Sequence, residues 1–232
     1  MLQTLTYAAL GTAFLFLMTT LGAATVFFLG RESGERTQRV LLGFAAGVMT
    51  AASVWSLLLP ALAQTAEDGR LPPLLPAAAG MLGGAAFLLG LDALCARREG
   101  THGSTLLLAA ITLHNIPEGM AVGLAFALAF GIGVQNFPEG AAVALPLVQA
   151  GRTRKRAFLA GALSGAVEPL FGLAVVPAAG VRALMPWLLS FAAGAMLCVT
   201  AGELLPRAGG RGGTCGFLVG FLLMMALDVA LG

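Results

Sequence analysis

The sequence predicts an all-α integral membrane protein: a bundle of eight transmembrane helices, kinked in the fourth and fifth, with both termini outside. Hydrophobic residues make up 58% of the chain and charged residues only 10%, whereas soluble domains carry about 25% charge. The apolar residues form continuous runs without the period-two alternation of a membrane β-barrel. The basic residues collect in alternate gaps between these runs. Together these observations predict a polytopic helical protein.

Each predicted span holds about 20 mainly apolar residues, the length needed to cross the hydrocarbon core. The eight candidates lie at 5–29, 40–63, 74–94, 105–126, 130–150, 157–180, 183–205 and 212–231. The gaps are short, so we expect residues 1–232 to form a single transmembrane domain. The first run is too long for a cleaved signal peptide.

The distribution of lysine and arginine orients the bundle. The odd-numbered gaps hold eleven of the thirteen basic residues, and the other two are Arg70 and Arg182. Because cytoplasmic loops are enriched in Lys and Arg, the odd gaps are expected inside the cell and both termini outside. The expected location is the cell (inner) membrane. The net charge of +2 is too small to indicate a nucleic-acid partner.

Glycine is unusually frequent, with 32 residues, and recurs in small-xxx-small pairs. The pairs are Gly43/Gly47, Gly80/Gly84, Gly161/Gly165 and Gly216/Gly220. Such pairs let helix backbones approach closely in a membrane. Tight static packing is the favoured interpretation, and a sliding surface between two moving halves is the alternative.

Two copies of an Asn-x-Pro-Glu-Gly motif mark the fourth and fifth spans. The first copy is His114-Asn115-Ile116-Pro117-Glu118-Gly119, and the second is Gln135-Asn136-Phe137-Pro138-Glu139-Gly140. In each copy the spacing of three and four residues places the polar side chains on one helix face. Each proline frees a carbonyl one turn earlier and is expected to bend its helix. A carboxylate at mid-membrane costs about 2.5–3.5 kcal/mol, so the copies predict a polar, hydrated centre.

A third acid, Glu168, precedes Pro169 in the sixth span. No Lys or Arg lies near the middle of any span, so a bound divalent cation or protons must neutralise the three acids. His114 is the only histidine within a span and lies one turn from Glu118. Imidazole, carboxylate and amide oxygen together suit Zn²⁺, with Cd²⁺, Fe²⁺ and Mn²⁺ as alternatives.

Three further acids lie near the ends of spans. Asp92 and Glu203 are at predicted cytoplasmic ends, and Asp228 is near the predicted outer end of the eighth span. They are interpreted either as solvated helix-end acids or as the exit (Asp92, Glu203) and entry (Asp228) points of a cation path.

The two motif copies, followed by Leu163-Ser164-Gly165-Ala166-Val167-Glu168-Pro169, resemble the ZIP (Zrt-, Irt-like) family of divalent metal transporters, and most closely its bacterial GufA-like branch. The resemblance covers the whole chain. It implies eight helices with outward termini and metal movement into the cytoplasm. It also implies homodimers within the lipid bilayer.

The resemblance further implies a binuclear metal centre. The first ion would bind His114, Glu118, Gln135 and Glu139, with Met49 of the second span as a soft ligand. The second ion would bind Asn115, Asn136 and Glu168, with Glu118 and Glu139 bridging both ions. Many family members have a His-Glu or His-Asp pair where this chain has Gln135-Asn136. This departure is expected to weaken the second site or to shift the metal preference.

An elevator motion is also implied by the resemblance. Helices one, four, five and six would slide as a unit against helices two, three, seven and eight. Met49 would lie on the static part and the other ligands on the moving part, so that sliding would detach one ligand.

Two other functional classes stay open at this point. A proton-coupled organic-solute carrier could use three buried acids, but it would not explain the repeated His, Asn and Gln ligands. An intramembrane metallopeptidase could hold zinc between His and Glu. The chain has no HExxH motif, however, and the prolines would disturb a rigid helical site. A metal transporter is therefore the leading hypothesis, and no enzymatic activity is expected.

Overall fold

A computed structural model describes residues 2–29, 35–96, 103–124, 126–177 and 181–231. Within these ranges the regular structure is entirely helical. The α-helices are α1 (Leu2–Ala24), α2 (Glu35–Ala52), α3 (Leu59–Asp68), α4 (Leu74–Ala96), α5 (Gly103–Leu124), α6 (Ala129–Gln149), α7 (Arg154–Gly165), α8 (Val167–Val175), α9 (Met185–Val199), α10 (Leu205–Ala208) and α11 (Gly210–Leu231). Short 3₁₀ segments lie at Thr25–Phe27, Phe126–Leu128 and Val181–Leu184.

Five helical stretches in the described ranges are long and apolar enough to cross a membrane. They are Leu2–Phe27, Glu35–Asp68, Arg154–Val175, Met185–Ala208 and Gly210–Ala230. The predicted class of a helical, multi-pass membrane protein is therefore confirmed. The count of eight spans and the outward orientation of both termini stay predictions.

Several helix boundaries differ from the predicted ones. The second span was predicted at 40–63, but the continuous helix formed by α2, a π-helical segment and α3 covers Glu35–Asp68. The sixth span was predicted as one helix, but it is divided at Ala166 into α7 and α8. Pro169 accounts for this division, because it supplies no N–H to the carbonyl of Gly165. By contrast, α5 and α6 each continue as one helix through Pro117 and Pro138, and the bends expected there stay predictions.

Two π-helical segments, at Ser53–Leu58 and Thr200–Leu204, interrupt long helices. Each lies just before a proline, Pro60 and Pro206 respectively. A proline removes the N–H that the carbonyl four residues earlier would accept, and a wider turn accommodates the loss. Ser53 adds to this distortion, because its hydroxyl donates to the Met49 carbonyl at 2.7 Å. Both segments carry polar side chains, Ser56 in the first and Glu203 in the second.

The helices pack into two groups. Group A contains α1, α5, α6, α7 and α8, in which α1 packs along α6 and α5 along α8. Group B contains α2, α3, α4, α9, α10 and α11, in which α2 packs along α11 and α4 along α9. The groups meet where α5 contacts α9 and where α2 contacts α6. All three central acids belong to group A.

The glycine pairs lie at helix contacts inside the two groups and not at the boundary between the groups. A β-carbon at Gly43 or Gly47 would overlap the backbone of α11, and one at Gly84 would overlap the backbone of α9. Gly161 and Gly165 face side chains of α1. Among the described glycines, Gly131 alone faces the other group, and it meets side-chain oxygens rather than backbone. This distribution favours tight packing within each group over a glycine-lined sliding surface.

Candidate metal centre

Three carboxylates from three helices are buried together in group A. Glu118 lies on α5, Glu139 on α6 and Glu168 near the start of α8, and each is 0% exposed. Electrostatic repulsion acts between Glu118 and Glu139, and between Glu168 and both of them. Buried like charges are costly unless a cation or protons neutralise them. The centre is therefore suited to cations.

Three amides connect these acids to one another and to the surrounding helices. The Gln135 Nε2 group donates to Glu118 Oε1 at 2.5 Å, and the Asn136 Nδ2 group donates to Glu168 Oε1 at 2.9 Å. Asn115 Nδ2 donates to the Ser164 carbonyl at 3.2 Å, and its side chain also interacts with Glu139. The two motif copies thus interlock into one polar cluster.

The hydrogen-bond partners determine which way each amide faces. Carboxylate and carbonyl oxygens accept hydrogen bonds, so the NH₂ groups of all three amides must point toward them. Their oxygens consequently point elsewhere: Asn115 Oδ1, Gln135 Oε1 and Asn136 Oδ1 are buried and have no hydrogen-bond donor within the described ranges. Glu168 Oε2 is also buried and has no hydrogen-bond donor among the described residues. Buried oxygens without donors are rare, and a cation is a natural partner for such a set.

The last glycine of each motif brings a neighbouring helix into this cluster. A β-carbon at Gly119 would overlap the backbone of Glu168, and a β-carbon at Gly140 would overlap the carbonyl oxygen of Thr19. The absent side chains therefore allow α8 to approach α5 and α1 to approach α6 at the level of the acids. Both motifs need glycine for this packing as well as glutamate for charge.

Thr19 of α1 is a member of the cluster that the sequence analysis missed. It is fully buried, and its hydroxyl donates to Glu168 Oε1 at 3.2 Å. A threonine in an apolar helix usually bonds its own backbone, so the residue gives little signal by itself. The recurrence of Thr12 and Thr19 seven residues apart on one helix face was the available indication.

The other two predicted ligands are His114 on α5 and Met49 on α2. His114 lies on α5 one turn before Glu118, and its side chain is outside the described part of the structure. Met49 is fully buried on α2, which packs against α6 across the group boundary. In the described ranges no three His, Cys, Asp or Glu side chains already surround one metal position. A metal site at the acids therefore needs the amide oxygens or His114 as further ligands.

The acids near the span ends have different environments. Asp228 on α11 is partly buried, and the Ser56 hydroxyl of the first π-helical segment donates to it at 2.8 Å. Glu203, in the second π-helical segment, pairs with Arg207 at 2.5 Å. Asp92 lies on α4, and its side chain is outside the described part of the structure. Sequence reasoning overlooked Ser56, whereas the spacing of four between Glu203 and Arg207 was readable as an ion pair.

Comparison with known proteins identifies the family. The model of the ZIP zinc transporter family matches residues 98–228, which include both motif copies and Glu168. The zinc transporter ZIPB of Bordetella bronchiseptica is 40% identical over 97% of this chain and 82% of its own length. The zinc transporter GufA of Myxococcus xanthus is 38% identical over 92% of this chain and 94% of its own length. The bovine zinc transporter ZIP11 is 35% identical over 97% of each chain.

These relatives are transporters and not enzymes, which removes the metallopeptidase from consideration. The matches also agree with the multi-pass helical architecture. With a family model covering more than half of the chain and relatives covering nearly all of it, this protein belongs to the ZIP family of transporters.

Proposed function

We propose that this chain carries divalent metal cations, zinc foremost, through the cluster of three acids and three amides in group A. The observation that carries the proposal is the orientation of the amides: their NH₂ groups bond protein acceptors while their buried oxygens have no donors. A site for an organic solute would need hydrogen-bond donors as well as acceptors facing the substrate. The relatives' names support zinc, and Cd²⁺, Fe²⁺ and Mn²⁺ are proposed as weaker substrates.

Two ions are proposed for the centre. Glu118 and Glu139 come from consecutive helices and repel each other, which supports a bridging role for both carboxylates. The first ion would take Gln135 and His114 in addition, with Met49 as a soft ligand. The second ion would take Glu168 and the two asparagines. Because Asn136 stands where many family members have a charged residue, zinc should bind at the second site more weakly than at the first.

Movement of group A against group B is proposed as the transport step. The helix contacts at which glycine allows backbones to approach lie inside the groups, whereas Gly131 at the boundary meets side-chain oxygens. An apolar crevice of about 210 Å³ also lies at this boundary, between Phe44 of α2, Phe137 of α6 and Leu223 of α11. A boundary whose described glycine meets side chains rather than helix backbone supports relative motion. Met49 would then separate from the other ligands, which lie on group A.

The proposed direction is into the cytoplasm across the bacterial inner membrane, by a homodimer in which each chain is one transmembrane domain. Asp228 is proposed on the entry side and Glu203 and Asp92 on the exit side. The partly buried contact between Asp228 and Ser56 supports a role other than simple solvation.

Uptake of radioactive zinc by proteoliposomes containing the purified protein tests the function. We expect saturable, protein-dependent uptake that unlabelled Cd²⁺ competes for and that Mg²⁺ does not. Vesicles without protein serve as the control. Zinc accumulation equal to that of the protein-free vesicles would reject the proposal. Uptake of an organic solute with no uptake of zinc would reject it as well.

The orientation is tested by cysteine labelling in a background without native cysteines. Arg70 and Lys155 are both exposed, and they lie in even and odd gaps respectively. An impermeant thiol reagent should label Arg70→Cys in intact cells and Lys155→Cys only after permeabilisation. The reverse pattern would invert the bundle and exchange the proposed entry and exit acids.

A further inference from the structure

The two buried threonines of α1 bond differently, although both are 0% exposed. The Thr12 hydroxyl donates to the Ala8 carbonyl of its own helix at 2.7 Å. The Thr19 hydroxyl is shared between two acceptors, the Leu15 carbonyl and Glu168 Oε1, each at 3.2 Å. A hydroxyl has one proton to donate. The Thr19 hydroxyl therefore donates partly to the backbone and partly to the acid, whereas the Thr12 hydroxyl donates to the backbone.

Thr19 is held firmly in this position. Gly140 of α6 packs against its carbonyl oxygen, and a β-carbon at Gly165 of α7 would lie only 2.8 Å from the Thr19 β-carbon. The threonine thus sits where α1 crosses two other helices of group A. Packing on these two sides keeps the Thr19 backbone at a position from which the hydroxyl reaches Glu168.

The two oxygens of Glu168 are consequently unequal. Oε1 accepts from Thr19 at 3.2 Å and from Asn136 at 2.9 Å. Oε2 is buried and accepts no hydrogen bond from the described residues. Two donors from α1 and α6 fix the rotation of the carboxylate, because both bind the same oxygen. The other oxygen stays available to a cation.

We propose that Thr19 is a positioning residue for metal binding: with Asn136 it holds Oε1 of Glu168 and leaves Oε2 to bind the transported cation. This inference rests on the proposed function. It adds α1, which carries no acid, to the helices that determine metal affinity. Thr19 itself touches the carboxylate and not the ion.

Two matched pairs of variants isolate the hydroxyl. Thr19 and Thr19→Val have nearly the same shape and differ in the hydroxyl, and so do Thr19→Ser and Thr19→Ala. Losing the hydroxyl should raise the KM for zinc uptake, and the Kd for zinc in detergent, about tenfold within each pair, with maximal rates changed less than twofold. Thr12→Val removes an equally buried hydroxyl that bonds only backbone, and should leave KM and Kd unchanged.

The pairs also separate positioning from packing. A packing role would make Thr19→Ser resemble Thr19→Ala, since both lose the same methyl group, and that result would overturn the inference. Equal KM and Kd within the pairs would overturn it too, and if Thr19→Val fails to fold, the Ser and Ala pair decides. Absence of zinc uptake by the wild-type protein would instead reject the proposed function, and this inference with it.

Discussion

The two motif copies have the same spacing of Asn, Pro, Glu and Gly but different partners. In the first copy, Asn115 donates to a backbone carbonyl of α7 and Glu118 accepts from the second copy's Gln135. In the second copy, Asn136 donates to the acid of α8. The final glycines differ as well, since Gly119 packs against α8 and Gly140 against α1.

This difference teaches that a repeated motif has not produced two repeated sites. Gln135 of the second copy bonds Glu118 of the first, and Asn115 of the first interacts with Glu139 of the second. Each copy therefore supplies an amide side chain that interacts with the glutamate of the other copy. Both copies contain a carboxylate and a glycine one residue later, whereas the possible ligand before asparagine differs, since it is His114 in the first copy and Gln135 in the second.

The shared carboxylates should show the largest effect. Glu118→Ala and Glu139→Ala should each reduce zinc uptake to background in proteoliposomes, because each removes a charge proposed to contact both ions. Glu67→Ala, which removes an exposed acid of α3, is the matched control and should transport normally. If one of the two acids were dispensable, the copies would not contribute equally and the bridging assignment would be wrong.

The shared glycines should come next. Gly119→Ala and Gly140→Ala should each destabilise the protein by about 1–3 kcal/mol, since the new β-carbon meets backbone that cannot move aside cheaply. Thermal unfolding of the detergent-solubilised protein measures this change, and zinc uptake should fall in parallel. Gly90→Ala on α4, where nothing lies within 4 Å of a β-carbon, is the control. Unchanged melting of either variant would contradict the close approach of its partner helix.

The residue that distinguishes the copies should control selectivity. The substitution His114→Gln gives the first copy the same residue before asparagine as the second copy. It should lower the preference for Zn²⁺ over Mn²⁺ about tenfold, because it removes the softest nitrogen donor. Competition of both ions against labelled zinc measures the preference. An unchanged order of competition would make His114 a packing residue.

Acidification should have the smallest effect of the four. Protons compete with metal for carboxylates and imidazole, so zinc uptake should fall severalfold between about pH 7.5 and pH 5. In His114→Gln, which has no imidazole to protonate, the decline should begin at lower pH. Zinc uptake or binding that stays constant across this range would count against the ligand set.

Much of the centre could be predicted from the sequence, because motif spacing determines which side chains share a helix face. The spacing of three residues brought Asn115 and Glu118 to one face of α5, and both are buried as expected. The pairing of a carboxylate with a following proline also drew attention to Glu168. The apolar composition correctly indicated a helical membrane protein.

Contacts between helices could not be predicted in the same way, because they depend on which helices become neighbours. Thr12 and Thr19 are threonines on one face of the same apolar helix. Among the described contacts, Thr19 donates to an acid and Thr12 does not, because α1 crosses α6 and α7 at the level of Thr19. The prolines at 60 and 206 were visible, but the wider π-helical turns before them also depend on packing. The Ser56 contact with Asp228 joins residues far apart in the chain and left no local pattern.

The division into two helix groups has a consequence for how the protein is made. Every helix of group A has been synthesised once the ribosome passes Val175, but α2 must wait for α11, against which Gly43 and Gly47 pack. Membrane helices insert first and associate afterwards. We therefore expect the acid centre to assemble while the glycine face of α2 still contacts lipid. Disulfide trapping between α1 and α6 in ribosome-arrested chains that stop before α11 would measure this order of assembly.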